Sequence, residues 1–104
     1  MKIEVRPSSI HGRGVFARKP ISKGERIGQY LARRTNRDGR YVLWVEHEET
    51  KDIKGYEGFG RLRFLNHRSN ANSKFDGLEL FALKRIQPGE EITFHYGDEW
   101  TDID

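Results

Sequence analysis

Phe16-Ala17-Arg18-Lys19-Pro20-Ile21-Ser22-Lys23-Gly24-Glu25-Arg26-Ile27 lines up without gaps on Phe81-Ala82-Leu83-Lys84-Arg85-Ile86-Gln87-Pro88-Gly89-Glu90-Glu91-Ile92, and seven of these twelve pairs are identical. Each copy reads as a strand ending in Phe-Ala, a basic connection, a turn at Lys-Gly or Pro-Gly, and a second strand starting near Ile. The unit is too short and too isolated for a solenoid. Two copies therefore predict a pseudo-symmetric β architecture in which they form two similar corners of one fold.

Outward from the copies the same grammar continues. Glycine and aspartate recur at short intervals, separated by runs rich in Val, Ile, Phe, Tyr and Trp, which predicts a mainly β chain. Strands are expected at 2–5, 14–17, 26–31, 41–46, 51–54, 73–75, 78–83 and 91–94. The pairs Asp38-Gly39 and Asp76-Gly77 suit primed hairpin turns, the second more firmly because apolar residues flank it. In the stretch 59–65, Phe59, Leu62 and Leu65 stand at threefold spacing, which predicts one short helical turn.

At 104 residues the chain reads as one domain, 1–104, around one core. With 35% apolar and 34% charged residues that core is small, so efficient packing or a homodimer would have to close it. The chain has no cysteine, which removes disulfides, thiolate zinc sites and cysteine nucleophiles. His11, His47, His67 and His95 share no ligand spacing, so no metal is expected. No apolar run approaches the length of a membrane span, and the expectation is a soluble, non-secreted, cytoplasmic protein, or a nuclear one in a eukaryotic or viral host. The charge of +3 comes from scattered basic residues, which argues against nucleic acid as the main partner.

Three segments could carry chemistry. Gly12-Arg13-Gly14 opens a strand where the missing Cβ atoms would let the backbone approach a ligand, although most such pairs are plain turns. The stretch 63–72 holds Asn66, His67, Asn70 and Asn72 next to apolar residues, a pattern that suits a ligand-binding loop or a self-satisfied buried one. The stretch 89–98 is a strand ending in His95-Tyr96 before Gly97, where a tyrosine could be catalytic or simply close the core. Glu90 and Glu91 are adjacent on a strand start, point to opposite faces, and are expected in solvent.

Taken in order, these segments resemble the successive motifs of the SET domain. Gly12-Arg13-Gly14-Val15-Phe16-Ala17 resembles its opening Gly-x-Gly motif. Lys23-Gly24-Glu25 with Ile27-Gly28-Gln29-Tyr30 resembles the turn and strand that follow. Arg63-Phe64-Leu65-Asn66-His67 is similar to the family's Arg-Phe-Ile-Asn-His, with Asn72 at the later asparagine. Gly89-Glu90-Glu91-Ile92-Thr93-Phe94-His95-Tyr96-Gly97 is similar to its Gly-Glu-Glu-Leu-Thr-Phe-Asp-Tyr-Gly.

The resemblance implies a β-clip-like fold of several small curved sheets, with little helix and a C-terminal segment threaded near the Asn-His loop. It implies S-adenosylmethionine as cofactor, held at Gly12, Arg13, Gly14, Asn66 and His67, with Trp100 over the adenine. Tyr96 would be the catalytic tyrosine, and Tyr41 and Phe94 would line a channel for a lysine of a protein or peptide substrate. A phenylalanine at 94 implies room for the di- or trimethyl state. The chain departs from the family at Arg68-Ser69, Ala71 and His95, and its stretch between Tyr41 and Arg63 is short, so a homodimer would supply the missing wall or activity would be low. Two rivals stand beside this reading. One is a non-catalytic SET-like module that binds a peptide or small ligand. The other is a basic nucleic-acid-binding β domain in which Tyr30, Tyr41 and Trp44 stack on bases. Glu46, Glu48 and Glu49, with Asp98, Glu99, Asp102 and Asp104, would form an acidic groove for a basic substrate.

Overall fold

The two twelve-residue copies interlock. The computed structural model describes residues 2–95. In it the Phe-Ala ends of the copies lie on β2 (Arg13–Ala17) and β9 (Glu79–Ala82), and the Ile ends on β3 (Arg26–Gln29) and β10 (Glu91–Phe94). Each second strand pairs with the first strand of the other copy: β3 with β9, and β10 with β2, both antiparallel. The connections match bond for bond. Gly24 N–H donates to the Ala82 carbonyl at 2.8 Å, and Gly89 N–H to the Ala17 carbonyl at 2.8 Å. At the centre Ile21 and Ile86 exchange both backbone hydrogen bonds at 2.9 Å, and both side chains are fully buried.

Both turns need glycine. Gly24 and Gly89 have φ of +84° and +88°, in the region that a Cβ disfavours, and open space surrounds both. The following glutamates close the turns, Glu25 Oε1 accepting from Ser22 N–H at 3.0 Å and Glu90 Oε1 from Gln87 N–H at 2.7 Å. One difference between the two turns is that Lys2 Nζ lies 2.8 Å from Glu25. That ammonium, and then the Ser22 N–H, hold the Glu25 carboxyl below its ordinary value of 4.5.

β1 (Ile3–Pro7) extends the sheet beyond β2, and β8 (Ser73–Asp76) forms a hairpin with β9. Asp76-Gly77 makes the expected turn, with Gly77 at φ +63° as the first of its two central residues. The short strand β7 (Asn66–His67) pairs with β10, and the resulting sheet runs β1-β2-β10-β8-β9-β3. A three-stranded sheet of β4 (Ala32–Thr35), β5 (Val42–Glu46) and β6 (Ile53–Gly58) has β6 in the middle.

Several expectations shift. The strand expected at 51–54 starts at Ile53 and runs to Gly58, because Lys51 at φ +63° belongs to the preceding turn. β4 went unrecognised because Ala32-Arg33-Arg34-Thr35 has no apolar alternation; β6 supplies its order through backbone pairing. Asp38-Gly39 is no hairpin turn, since β4 and β5 do not pair. Asp38 Oδ1 instead accepts from Gly39 N–H at 2.9 Å and Trp44 Nε1 at 3.1 Å. The helical turn is a 3-10 segment, Arg61–Phe64, of which Leu62 reaches the core while Phe59 is exposed.

The core gathers Ile21, Ile86 and Ile92 from the two copies with Val15 and Leu80 immediately before them, all fully buried. Among the described residues no helix is long and apolar enough to cross a membrane. The C-terminal segment expected to be threaded lies, after His95, outside the described residues.

Gly24→Ala and Gly89→Ala should each cost about 1–2 kcal/mol, the strain of a Cβ in the left-handed region, because neither meets a steric contact. Urea unfolding midpoints check this. Glu25, held in its charged form by the fold, contributes stability above its ordinary value that disappears as pH falls through the lower folded one. Lys2→Met should therefore flatten the acid limb of a stability-versus-pH curve.

Candidate functional site

The interlocked copies place β10 between β2 and the Asn66–His67 strand. Glu91 and Ile92 pair with Phe16 and Val15, while Thr93 and Phe94 run parallel to Asn66 and His67. Asn72 fastens the strand as a backbone would: its Oδ1 accepts from Thr93 N–H at 2.9 Å and its Nδ2 donates to the Glu91 carbonyl at 2.9 Å. Ser73 Oγ donates to the Thr93 carbonyl at 2.5 Å. Two cavities open beside this strand.

The larger, of about 440 Å³, is a cleft bounded by His11, Gly12, Arg13, Phe64 and Asn66. Its size falls in the range of small-molecule sites. Arg13 and Arg63 stack over the Phe64 ring with guanidinium carbons 5.7 and 4.1 Å from its centroid. Arg63 also donates to the Phe59 and Gly60 carbonyls at 3.0 and 2.9 Å, which locks its orientation.

The smaller cavity, of about 110 Å³, is a narrow channel among Tyr30, Tyr41, Leu43, Leu62, Phe75 and Phe94. Its walls are a chain of edge-to-face rings, Tyr30 on Phe75 at 5.7 Å and Phe75 on Phe94 at 5.4 Å. The Tyr30 hydroxyl donates to the Tyr41 carbonyl at 2.6 Å and so holds one wall against the other. Arg40, Tyr41, Arg63, Leu65 and Asn66 line both spaces, so the channel and the cleft share a wall.

Of the residues singled out from sequence, Gly12, Arg13 and Asn66 border the cleft; Asn66, His67, Tyr41 and Phe94 border the channel. His67 lies edge-on to Phe94 at 6.1 Å and beside His95 at 4.9 Å. Gly14 differs from expectation: it does not line the cleft, and a Cβ there would come 2.2 Å from Glu91 Oε2 and 3.0 Å from the Ser8 Cβ. The close approach that demands glycine is to the protein's own carboxylate. Glu91 is likewise not in solvent; it is half-buried and accepts from Ser8 Oγ at 2.7 Å and Asn66 Nδ2 at 2.8 Å. Tyr96 and Trp100 lie outside the described residues.

Sequence reasoning missed Ser8, Tyr30, Phe75, Arg40 and Glu91 as parts of the site. Glu91 left a faint signal, because it aligns with Arg26 at one of the few charged positions where the copies disagree. Arg26 serves an exposed ion pair with Glu79 on the surface. Tyr30 is only 6% exposed, so it cannot stack on a base, which removes one of three aromatics from the nucleic-acid reading. Glu46, Glu48 and Glu49 border neither cavity, and the tail acids of the expected groove fall outside the described residues.

Residues 12–97 match the family model described as SET domain. The histone-lysine N-methyltransferase set9 of Aspergillus fumigatus is 44% identical over 110 residues, covering 86% of this chain and 17% of that protein. The histone-lysine N-methyltransferase 2B of Homo sapiens is 31% identical over 113 residues, covering 86% of this chain and 4% of that one. The chain thus spans a small part of the length of these relatives. Among solved structures, the methyltransferase domain of human PR domain-containing protein 2 superposes with a TM-score of 0.74 at 22% identity, covering 93% of this chain and 78% of that chain. At that identity the likeness speaks for the fold.

Tyr30→Phe should cost about 1 kcal/mol in a denaturant titration, the worth of one hydrogen bond, because the Tyr41 carbonyl keeps its second donor, Gly58 N–H at 2.8 Å.

Proposed function

This chain belongs to the SET-domain family, and from that premise we propose that it transfers a methyl group from S-adenosylmethionine to the side-chain nitrogen of a lysine in a protein substrate. The observation that carries this reading is the pair of cavities with a common wall: a polar cleft sized for a small molecule and a narrow aromatic channel meet at Tyr41 and Asn66.

The cleft fits the cofactor by its chemistry. Arg13, Arg40 and Arg63 could meet a carboxylate, the Asn66 amide could meet an ammonium group, and the Phe64 face is available to an apolar or cationic part. When bound, the cofactor supplies a sulfonium methyl open to in-line displacement by an amine.

The chain's own part is orientation and desolvation. Tyr41, Phe75 and Phe94 would hold the lysine stem extended along the channel, its apolar carbons against the rings. A lysine amine has an ordinary pKa of about 10.4, and desolvation between the rings of a channel that Arg40 and Arg63 also line favours its neutral, nucleophilic form. Holding two reactants in line can remove roughly 7 kcal/mol or more of a barrier. Tyr96, by its place after Phe94-His95, would position the reacting groups without acting as a strong base. Phe94, lacking a hydroxyl in the channel, leaves space for an amine that already carries methyl groups and supports di- or trimethylation. The histone-lysine methyltransferase names of the relatives support a protein substrate.

Incubation with methyl-labelled S-adenosylmethionine and a panel of basic proteins and peptides should place label on lysine, and Tyr96→Phe should reduce it about 100-fold. Absence of label together with absence of calorimetric cofactor binding would leave a binding module in place of an enzyme. Mass spectrometry of the product should show di- or trimethyl-lysine, and Phe94→Tyr should truncate the series at monomethyl-lysine.

A further inference from the structure

We propose that Glu91 is a positioning residue that sets which end of the Asn66 amide faces the cleft, and so makes the site selective for a cofactor with a free α-amino group. The inference rests on the reading of the cleft as a cofactor site. Asn66 Nδ2 has two protons, and four acceptors surround it: Glu91 Oε2 at 2.8 Å, the Arg13 carbonyl at 3.0 Å, and the His11 carbonyl and Ser8 Oγ at 3.1 Å. The carboxylate and the two carbonyls would repel an amide oxygen. The nitrogen end is thereby held inward, and the oxygen end is the one left for a ligand. An outward oxygen accepts from an ammonium group; an outward NH₂ would set donor against donor.

Glu91 is the only charged member of this set, and charge-assisted hydrogen bonds are about twice as strong as neutral ones. Its own carboxylate is held. Ser8 Oγ lies 2.7 and 2.9 Å from the two oxygens and accepts from Ile10 N–H at 2.9 Å. Gly14 is the vacancy that admits it, since a Cβ there would overlap Oε2. The Gly12-Arg13-Gly14 segment thus reaches the site indirectly: it makes room for the carboxylate that orients the asparagine.

The test uses Glu91→Met, similar in size but without an acceptor, and Glu91→Gln, which keeps one acceptor oxygen. In calorimetry Glu91→Met should bind S-adenosylmethionine at least about 10-fold more weakly. Its affinity for the analogue lacking the α-amino group should stay within about 2-fold of wild type, and Glu91→Gln should recover most of the loss. Nitrogen-15 spectra of the protein without cofactor should show the Asn66 side-chain NH₂ protected from exchange in wild type and measurably less protected in Glu91→Met, where only neutral acceptors remain. Equal losses for both ligands, or unchanged Asn66 protection, would overturn the proposal. If Glu91→Met fails to fold, Ser8→Ala removes one brace of the carboxylate and should show the same ligand selectivity at smaller amplitude. A wild type that binds neither ligand would end the cofactor reading, while the Asn66 exchange data would still decide the orientation.

Discussion

Everything in this molecule hangs on the reciprocal backbone exchange at Ile21 and Ile86. Two isoleucines, fully buried, trade both hydrogen bonds at 2.9 Å, and on either side of them a glycine N–H reaches the Ala carbonyl of the opposite copy. Neither copy forms its own hairpin. Each depends on the other to satisfy its strand, so the two segments are committed to one another. Residues 16–27 and 81–92 are far apart in sequence, so closing this pairing carries a loop-closure cost that buried side chains of roughly 1.5–3 kcal/mol each must offset.

The exchange has a functional consequence because it inserts β10 into the middle of the sheet. A central strand has neighbours on both edges, and here one edge is β2, which carries Gly14, while the other is the short Asn66–His67 strand. Four residues therefore bring together segments from both ends and the middle of the chain. Ile92 goes to the core, Phe94 to the channel and Glu91 to the Asn66 amide that borders the cleft. Alternation is blurred at Ile92-Thr93-Phe94, all buried, as expected for a strand covered on both faces.

Polar groups around this strand are satisfied by one another with little left over. Asn72 substitutes for a strand neighbour, Ser73 caps the Thr93 carbonyl, and Glu91, Ser8 and Asn66 form a closed cluster. Half-buried polar clusters of this kind carry a cost when half-made and favour a single arrangement when complete. The ring chain Tyr30-Phe75-Phe94 does the corresponding work for the channel with apolar contacts, and the Tyr30 hydroxyl ties it to Tyr41, a residue of the common wall just before β5.

By itself the sequence determined the β class, most of the strands, the two glycine turns, the Asp76-Gly77 hairpin, and the ordered motifs that mark the family. These are local properties: turn chemistry and short apolar runs act over a few residues and leave a readable pattern. Only the tertiary structure decided that the copies exchange strands, that Ala32–Thr35 is a strand, and that Asp38-Gly39 is not a hairpin. Pairing partners lie at long sequence separation, and an arginine-rich strand carries no alternation of its own. The site divided in the same way. Asn66, Tyr41 and Phe94, named through the family resemblance, stand around the two cavities. Glu91 was misjudged because a glutamate at a strand start reads as solvated, until the fold sets it against Gly14 and Asn66.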